Sequence, residues 1–309
     1  MSASEETTTP APISEPSDRP VVFDLELFER LNEEYRERPL APTPPAVDPV
    51  GRRKRARRRL RMISRTLDVR GKRVLEIGSS HGDLTRLLVK KGGAREAIGV
   101  DVVASPMWEE NSSSRVSFHR ADLAREQLLD DGSIDAVVSS AVLEHVDRPL
   151  RMLEAIGRLL KVGGEAWLYF NLYRGPKASH RYREIYFPWP HLLFARAVCE
   201  AFYRKHYGRD SNFAWVNHLT AAEYMDACVE AGLHVLDHRR HVTEIDLPFY
   251  LRFEQVLGRY PALDLETDFL WLKLRKRRRR PRRAPSLGYL ERQRAFDEET
   301  QRWRVEHGI

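Results

Sequence analysis

The stretch Val74-Leu75-Glu76-Ile77-Gly78-Ser79-Ser80-His81-Gly82-Asp83-Leu84-Thr85 constrains this chain more than any other. The apolar residues around Glu76 suit a buried strand, Gly78 and Gly82 permit close backbone approach, and Asp83 with Leu84, Leu87 and Leu88 begins a helical apolar pattern. A strand that breaks into a glycine turn and then enters a helix aims free N–H groups at the turn, which makes a cradle suited to anions. Gly-x-x-x-Gly by itself also fits a plain tight turn, so the residues downstream have to decide.

The next apolar run, Ala97-Ile98-Gly99-Val100, ends in Asp101, about 20 residues beyond the turn, where a carboxylate can bond both hydroxyls of a ribose. A third run, Val116-Ser117-Phe118-His119, leads into Ala121-Asp122-Leu123, and a fourth, Ile134-Asp135-Ala136-Val137-Val138-Ser139-Ser140, leads into Ala141-Val142-Leu143-Glu144-His145-Val146. A helical pattern over residues 149–160, a Lys161-Val162-Gly163-Gly164 turn and a fifth strand over 165–170 follow. Strands alternating with helices predict an α/β fold with a parallel sheet covered on both faces.

At these residues the chain resembles the class I S-adenosylmethionine-dependent methyltransferases, in particular their small-molecule branch. The motifs that carry the resemblance are Glu76-Ile77-Gly78 through Gly82, Gly99-Val100-Asp101, Ala121-Asp122-Leu123, and Val142-Leu143-Glu144-His145-Val146 followed by Leu159-Leu160-Lys161-Val162-Gly163-Gly164. It covers residues 70–170 closely and 217–275 more loosely. It implies a Rossmann-like, doubly wound, mostly parallel seven-stranded sheet with S-adenosyl-L-methionine as cofactor. By the same resemblance, Gly78 and Gly82 shape the turn beneath the methionine part and Glu76 orients its amino end. Asp101 takes the ribose hydroxyls, Asp122 and the Leu123 N–H meet the adenine, and Ser139 and Ser140 flank the methyl. Two departures stand out: Ser80 replaces the family's frequent middle glycine, and Val162 replaces the proline of its Lys-Pro-Gly-Gly turn. A dehydrogenase would share the first turn but leaves Asp122 and Leu143-Glu144-His145 unexplained.

Around this core, residues 1–22 are rich in Ser, Thr, Pro and Glu and read as a disordered tail without a signal peptide's basic start and apolar centre, which predicts a cytoplasmic protein. Residues 23–69 read as a helical extension, with Leu27, Leu31 and Tyr35 at helical spacing and a proline-rich linker over 39–49. Residues 70–275 form the methyltransferase domain and 276–309 a basic tail. No apolar run approaches the roughly 18 residues that cross a bilayer. Cys199 and Cys228 lack metal-ligand spacing and read as buried thiols.

Charge is concentrated rather than spread. Residues 52–61 carry eight basic side chains and 273–283 carry nine, and removing these 17 from the chain's 52 leaves 35 basic against 45 acidic residues. An acidic body argues against a broad nucleic-acid face. Ala56, Leu60, Ile63 and Leu67 place the first cluster on the solvated sides of a packed helix, and both clusters suit solvent or a peripheral contact with an anionic membrane surface. An RNA-directed enzyme docking through these clusters, or a non-catalytic cofactor-binding scaffold, are the alternative readings.

Between the fifth strand and the helical pattern at 220–231 lies an insertion, residues 171–216, dense in aromatic residues and histidines. After a fifth strand it should overhang the cofactor, with Tyr186, Phe187, Trp189 and Phe194 walling a pocket for an apolar or sugar-ring acceptor; packing of these rings in a satellite core is the other reading. Methyl transfer needs a nucleophile held in line with the methyl at about 3 Å and, for a hydroxyl, removal of its proton. His180 and His191 are the candidate bases, His145 a third oriented by Glu144, and His218 a fourth. Related quinone O-methyltransferases carry Glu-x-x-Glu-His at the segment 141–145, which here begins with Ala141, so no metal is expected. Ser139-Ser140-Ala141-Val142 lacks the Asn/Asp-Pro-Pro-aromatic pattern of base N-methylation, which leaves an oxygen or carbon of a small, lipid-like or sugar-containing acceptor.

Overall fold

The computed structural model describes residues 23–40, 48–181, 183–210 and 217–308, so the expected tail and most of the linker fall outside the described residues. In chain order the elements are α1 (Leu25–Glu34), α2 (Pro49–Ser64), β1 (Arg73–Ile77), α3 (Asp83–Lys90), β2 (Glu96–Asp101), α4 (Met107–Asn111), β3 (Val116–Arg120), β4 (Ile134–Ser140), a 3-10 turn Leu143–His145, α5 (Pro149–Leu159) and β5 (Leu160–Asn171). They continue with α6 (Pro190–Leu193), α7 (Arg196–Tyr207), α8 (Ala221–Glu230), β6 (Leu233–Val242), α9 (Leu247–Arg252), α10 (Glu254–Leu257), α11 (Ala262–Glu266), β7 (Thr267–Lys276) and α12 (Tyr289–His307). The seven strands form one sheet in the order β3-β2-β1-β4-β5-β7-β6, parallel except for β7, which runs against both neighbours. This is the Rossmann-like architecture expected from the motifs.

Period-two alternation sends each strand's side chains to two separate cores. Val74, Ala136, Val138 and Trp167 meet Ala56, Leu60 and Ile63 of α2 and Leu84 and Leu88 of α3. Leu75, Ile77, Val137, Leu168 and Phe170 meet Met152, Leu153 and Ile156 of α5 and Tyr224, Met225 and Cys228 of α8. Helix ends are fixed locally: Asp48 caps α2 through the N–H groups of Val50 and Gly51, and Thr220 with Glu223 forms a capping box on α8. The anticipated turn at 161–164 is instead an irregularity within β5, across which the register steps from Ile134↔Leu160 to Ala136↔Glu165.

The insertion differs from the expected pocket wall. Phe187, Trp189 and Phe194 are buried in a third core with Phe28 and Leu31 of α1, Phe202 of α7, Phe249 of α9 and Phe296 of α12, so these rings support the fold rather than line a cleft. Phe28 makes edge contacts with Phe187 and Phe194, and Asn32 bonds both the Glu184 carbonyl and the Tyr186 N–H. Aromatic density marks apolar burial equally well for a core and for a pocket, and composition alone does not separate them. Residues 276–309 likewise hold more than a basic tail. Thr300 and Phe296 of α12 are buried, Arg292 pairs with Glu266 at 2.7 Å, and Arg304 pairs with Glu254.

Phe296→Ala should therefore cost about 3–5 kcal/mol and lower the thermal midpoint by roughly 6–20 °C. Scanning calorimetry checks it, and an unchanged midpoint would mean that α12 is not seated on the third core.

Candidate functional site

The carboxyl ends of β1, β2, β3, β4 and β5 share one edge of the sheet, and the chain reverses its winding between β1 and β4, which opens a crevice there. The turn after β1 is built for left-handed backbone: Gly78 and Gly82 have φ of +77° and +83°, and Ser80, standing where the family often has glycine, has φ of +47°. The turn is held from three sides. Asp101 Oδ2 accepts the Ser80 N–H at 2.8 Å, Trp108 Nε1 donates to the Ser80 carbonyl at 2.7 Å, and Asn111 Nδ2 donates to the His81 carbonyl at 2.8 Å. The sequence reading missed Trp108 and Asn111, which lie in and at the end of the five-residue helix α4.

The expected cofactor residues divide between open and enclosed positions. Asp101 is half-buried at the crevice rim, its Oδ1 accepting from the Val103 N–H at 3.1 Å, with Val102 and Val103 exposed beside it. Asp122 pairs with Arg125 at 3.0 Å and caps its own turn through the Ala124 N–H, and Leu123 is buried. Ser139 is buried and donates to the Ile77 carbonyl at 3.1 Å, so its hydroxyl ties β4 to β1 instead of facing the crevice. Glu76 is buried and accepts from the Thr85 hydroxyl at 2.5 Å, below the turn rather than on its surface.

Burial raises the Glu76 carboxyl to about 8, against the downward pull of the Thr85 hydroxyl and the Arg59 guanidinium. Arg59 is itself half-buried on α2; burial lowers its pKa from the ordinary value, while Glu76, Glu144 and Tyr169 favour its charge. Thus one arginine of the first basic cluster turns inward toward Glu76 and Glu144, and Arg52 on the same helix pairs with Asp83 at 3.4 Å. The cluster is not wholly solvated surface, as the sequence had suggested.

The Glu76 shift has a thermodynamic sign. A carboxyl whose pKa is higher folded than unfolded binds its proton more tightly in the folded state, so its contribution to stability falls as pH rises from about 4.5 to about 8. In Glu76→Gln that slope is absent. The variant should gain stability relative to the parent steadily between these pH values, and a pH-independent difference in thermal midpoint would sink the assignment.

Across the crevice, the segment after β4 meets the start of the insertion. Glu144 is 1% exposed; its Oε1 accepts from the Asn171 N–H at 3.4 Å, and Oε2 is buried without a hydrogen-bond partner among the described residues. Burial raises its carboxyl to about 7. His180 Nε2 meets Asn171 Oδ1 at 2.8 Å, and the His145 and His180 rings stand edge to face with centroids 5.2 Å apart. Glu144, His145 and His180 each bring one donor atom within 4.8 Å of the others. Ala141 and His180 both take positive φ, +59° and +55°, where a non-glycine residue is strained. Of the other two histidines, His191 is buried with Nε2 donating to the Tyr173 carbonyl at 2.6 Å, and burial drives its pKa down to about 3. His218 stacks on Tyr173 at 3.7 Å between centroids. His180 and His145 thus converge with Glu144, whereas His191 and His218 flank Tyr173. Asn171, which touches both Glu144 and His180, was missed because an amide at a strand end carries no sequence signal of its own.

The residues of this edge fit S-adenosylmethionine: a left-handed glycine turn, an acidic rim residue, an inward arginine, and a Ser79 hydroxyl buried without a hydrogen-bond partner among the described residues. Comparison with known proteins agrees. The family model described as "Methyltransferase domain" matches residues 51–238. The ubiquinone biosynthesis O-methyltransferase of Xanthomonas oryzae pv. oryzae is 36% identical over 126 residues, 39% of this chain and 51% of that protein. The protein of the same name from Nitrosococcus oceani is 30% identical over 125 residues, 39% of this chain and 52% of that one. The match therefore spans about half the length of these curated relatives. A crystal structure from Listeria monocytogenes, assigned to the S-adenosylmethionine dependent methyltransferases, superposes with a TM-score of 0.50 at 13% identity over 73% of this chain and 98% of that one, a likeness of fold.

Proposed function

The chain belongs to the class I S-adenosylmethionine-dependent methyltransferases, and from that premise we propose that it transfers a methyl group to a hydroxyl oxygen of a small acceptor seated against Glu144, His145 and His180. The observation that carries this reading is the carboxylate and imidazole cluster standing across the crevice from the glycine turn. When bound, S-adenosylmethionine supplies an electrophilic methyl on a sulfonium. The residues of the chain then have two tasks, to hold the two reactants in line and to take the hydroxyl proton as the oxygen attacks.

For the first task, Asp101 holds the ribose, its carboxylate retaining acceptor capacity beyond the Ser80 and Val103 N–H groups. Asp122 and Leu123 meet the adenine, with the exposed Val102 beside them, and the Arg59 guanidinium pairs with the carboxylate of the methionine part. For the second, Glu144, His145 and His180 receive the acceptor oxygen. The names of the curated relatives favour oxygen over carbon. A lipid-linked acceptor accords with the exposed arginines at 277–280, 282 and 283, which suit peripheral contact with an anionic membrane surface. No helix among the described residues is long and apolar enough to cross a membrane. We take residues 70–275 as the catalytic unit, with α1, the insertion and α12 packed together on its acceptor side.

Asp101→Ala tests the cofactor half. Loss of a charged acceptor for the ribose hydroxyls should cost about 1.5–3 kcal/mol, a 10- to 150-fold weaker Kd for S-adenosylmethionine by calorimetry. Unchanged affinity would overturn the ribose assignment. Incubation with methyl-labelled S-adenosylmethionine and fractionated cell extract tests the acceptor half: label is expected in a phenolic or hydroxylated small-molecule or lipid fraction, and label confined to RNA or protein would overturn it.

A further inference from the structure

We propose that Asp268 and Lys177, with Thr243 as a third member, form a buried clamp that positions His180 at the acceptor end of the crevice. The proposal rests on the reading of His180 as a group that meets the acceptor, and it adds positioning residues outside the cluster of Glu144, His145 and His180.

Asp268 is the second residue of β7 and is fully buried. Among the described residues it accepts five hydrogen bonds, four of them from Asn171, Leu172 and Lys177 at the start of the insertion. Its main-chain carbonyl takes a proton from Asn171 Nδ2 and the Leu172 N–H, the latter at 2.9 Å. Its Oδ1 takes the Lys177 N–H at 3.0 Å, and its Oδ2 takes the Lys177 ammonium at 2.8 Å and the Thr243 hydroxyl. Lys177 Nζ also donates to Thr243 Oγ1 at 2.6 Å. The start of β7, the residue after β6 and the insertion are thereby tied at one point.

Two routes lead from Asp268 to His180. Through the main chain, the Lys177 carbonyl accepts the His180 N–H at 3.1 Å, which closes a turn where His180 takes φ of +55°. Through a side chain, the Asn171 amide held by Asp268 presents its Oδ1 to His180 Nε2 at 2.8 Å. A non-glycine residue persists in left-handed backbone only where its surroundings over-determine it, and here main chain and ring are both led back to one residue. Packing alone leaves slack. A Cβ on Gly175 would stand 2.5 Å from the Thr267 carbonyl oxygen, so the loop approaches β7 closely there, but a cavity of about 130 Å³ lined by Tyr35, Pro176, Trp189 and Thr243 gives its next residue room to shift. A buried ion pair contributes little net stability over an apolar pair of the same volume. What its directional bonds supply here is one geometry for the turn that ends at His180.

The clamp has a signature at the ring. Among the described residues, Glu144 and His145 on the turn after β4 and Arg181, Arg183 and His191 in the insertion are the titratable and charged groups around His180. Burial, reinforced by His145, Arg181 and Arg183, lowers the His180 pKa to about 4. Release of the turn to solvent should move it up toward the ordinary 6.5.

The test uses the full chain with nitrogen-15 in its histidines, the His180 ring being assigned by the signals lost in His180→Ala. In the parent, long-range proton–nitrogen spectra should show one neutral tautomer, protonated on Nε2, that titrates near 4. In Lys177→Met the two tautomers should average and the titration should move toward 6.5. Transfer of label from methyl-labelled S-adenosylmethionine to the acceptor-bearing extract fraction should fall about 10- to 100-fold, with the Kd for S-adenosylmethionine within about twofold. Lys177→Met leaves the Asp268 carboxylate buried without its cation. The double variant Lys177→Met/Asp268→Asn buries no unpaired charge, keeps an acceptor for the main-chain N–H at position 177, and gives the same readings if the single variant does not fold. Arg240→Met is the control. It breaks another enclosed pair, Arg240 with Glu266 at 2.9 Å between β6 and α11, so it should lower the thermal midpoint and leave the His180 signals unchanged. An unaltered His180 tautomer and titration in the folded clamp variants, or equal changes in Arg240→Met, would overturn the clamp. Clamp variants that release the ring while His180→Ala transfers label at the parental rate would leave the clamp standing and overturn the reading of His180 as an acceptor-side group.

Discussion

Gly78→Ala should weaken S-adenosylmethionine binding by about 100-fold or more. A Cβ at this position would stand 2.0 Å from Cγ2 of Val142 and within 3.3 Å of two further atoms of that side chain. The backbone there has φ of +77°, which costs an L-residue roughly 1–2 kcal/mol, and overpacking against Val142 adds about 1–3 kcal/mol. Relief requires the turn or Val142 to move. Either movement spoils the site, since the turn carries Ser79 and Ser80 while Val142 leads directly into Leu143–His145. Gly132→Ala is the matched control: φ is +62° but nothing lies within 4 Å of the added carbon, so it pays the backbone term alone. Calorimetry of both variants separates the two contributions, and equal cofactor affinity in Gly78→Ala and Gly132→Ala would show that the close approach to Val142 has no functional consequence.

The contrast between those two glycines reflects what a sequence discloses. The turn after β1, the alternation of strands and helices along the chain and the positions of Asp101 and Asp122 after their strands were readable because strand period, glycine conformation and helix start are local properties. What was misread is set by contacts between distant segments. Phe187, Trp189 and Phe194 look the same in a list whether they wall a pocket or meet Phe28, and only the docking of α1 decides. Arg59 was one of eight basic residues over 52–61. Its inward turn is set by how α2 docks on the sheet and is not marked by the spacing, since Arg53 stands as near the buried stripe of Ala56, Leu60 and Ile63 and is exposed. Glu144 and His180 each had a candidate role on its own, but Asn171, which joins them, has no pattern that marks it before the strands are aligned.

That junction leads to the second large effect. Glu144→Gln and His180→Ala should each lower kcat by about 10²–10⁴-fold while leaving the Kd for S-adenosylmethionine within about twofold. The separation is expected because Asp101, the glycine turn and Arg59 stand on β2, β1 and α2, whereas Glu144 and His180 stand on the segments after β4 and β5. Glutamine keeps the shape of Glu144 and its bond from the Asn171 N–H but removes the charge, so a loss in this variant reports on charge at the acceptor oxygen rather than on packing. The two losses should not add, since both residues serve one oxygen, and the double variant should resemble the weaker single one. His191→Ala provides the opposite pattern. Its ring is enclosed and donates to the Tyr173 carbonyl, so its removal should lower the thermal midpoint through a cavity and a lost hydrogen bond, with turnover per folded molecule nearly preserved. A folded His191→Ala protein with kcat down by 10²-fold or more, together with near-normal kcat in His180→Ala, would move the chemistry to the Tyr173 side of the insertion and away from the Glu144 cluster.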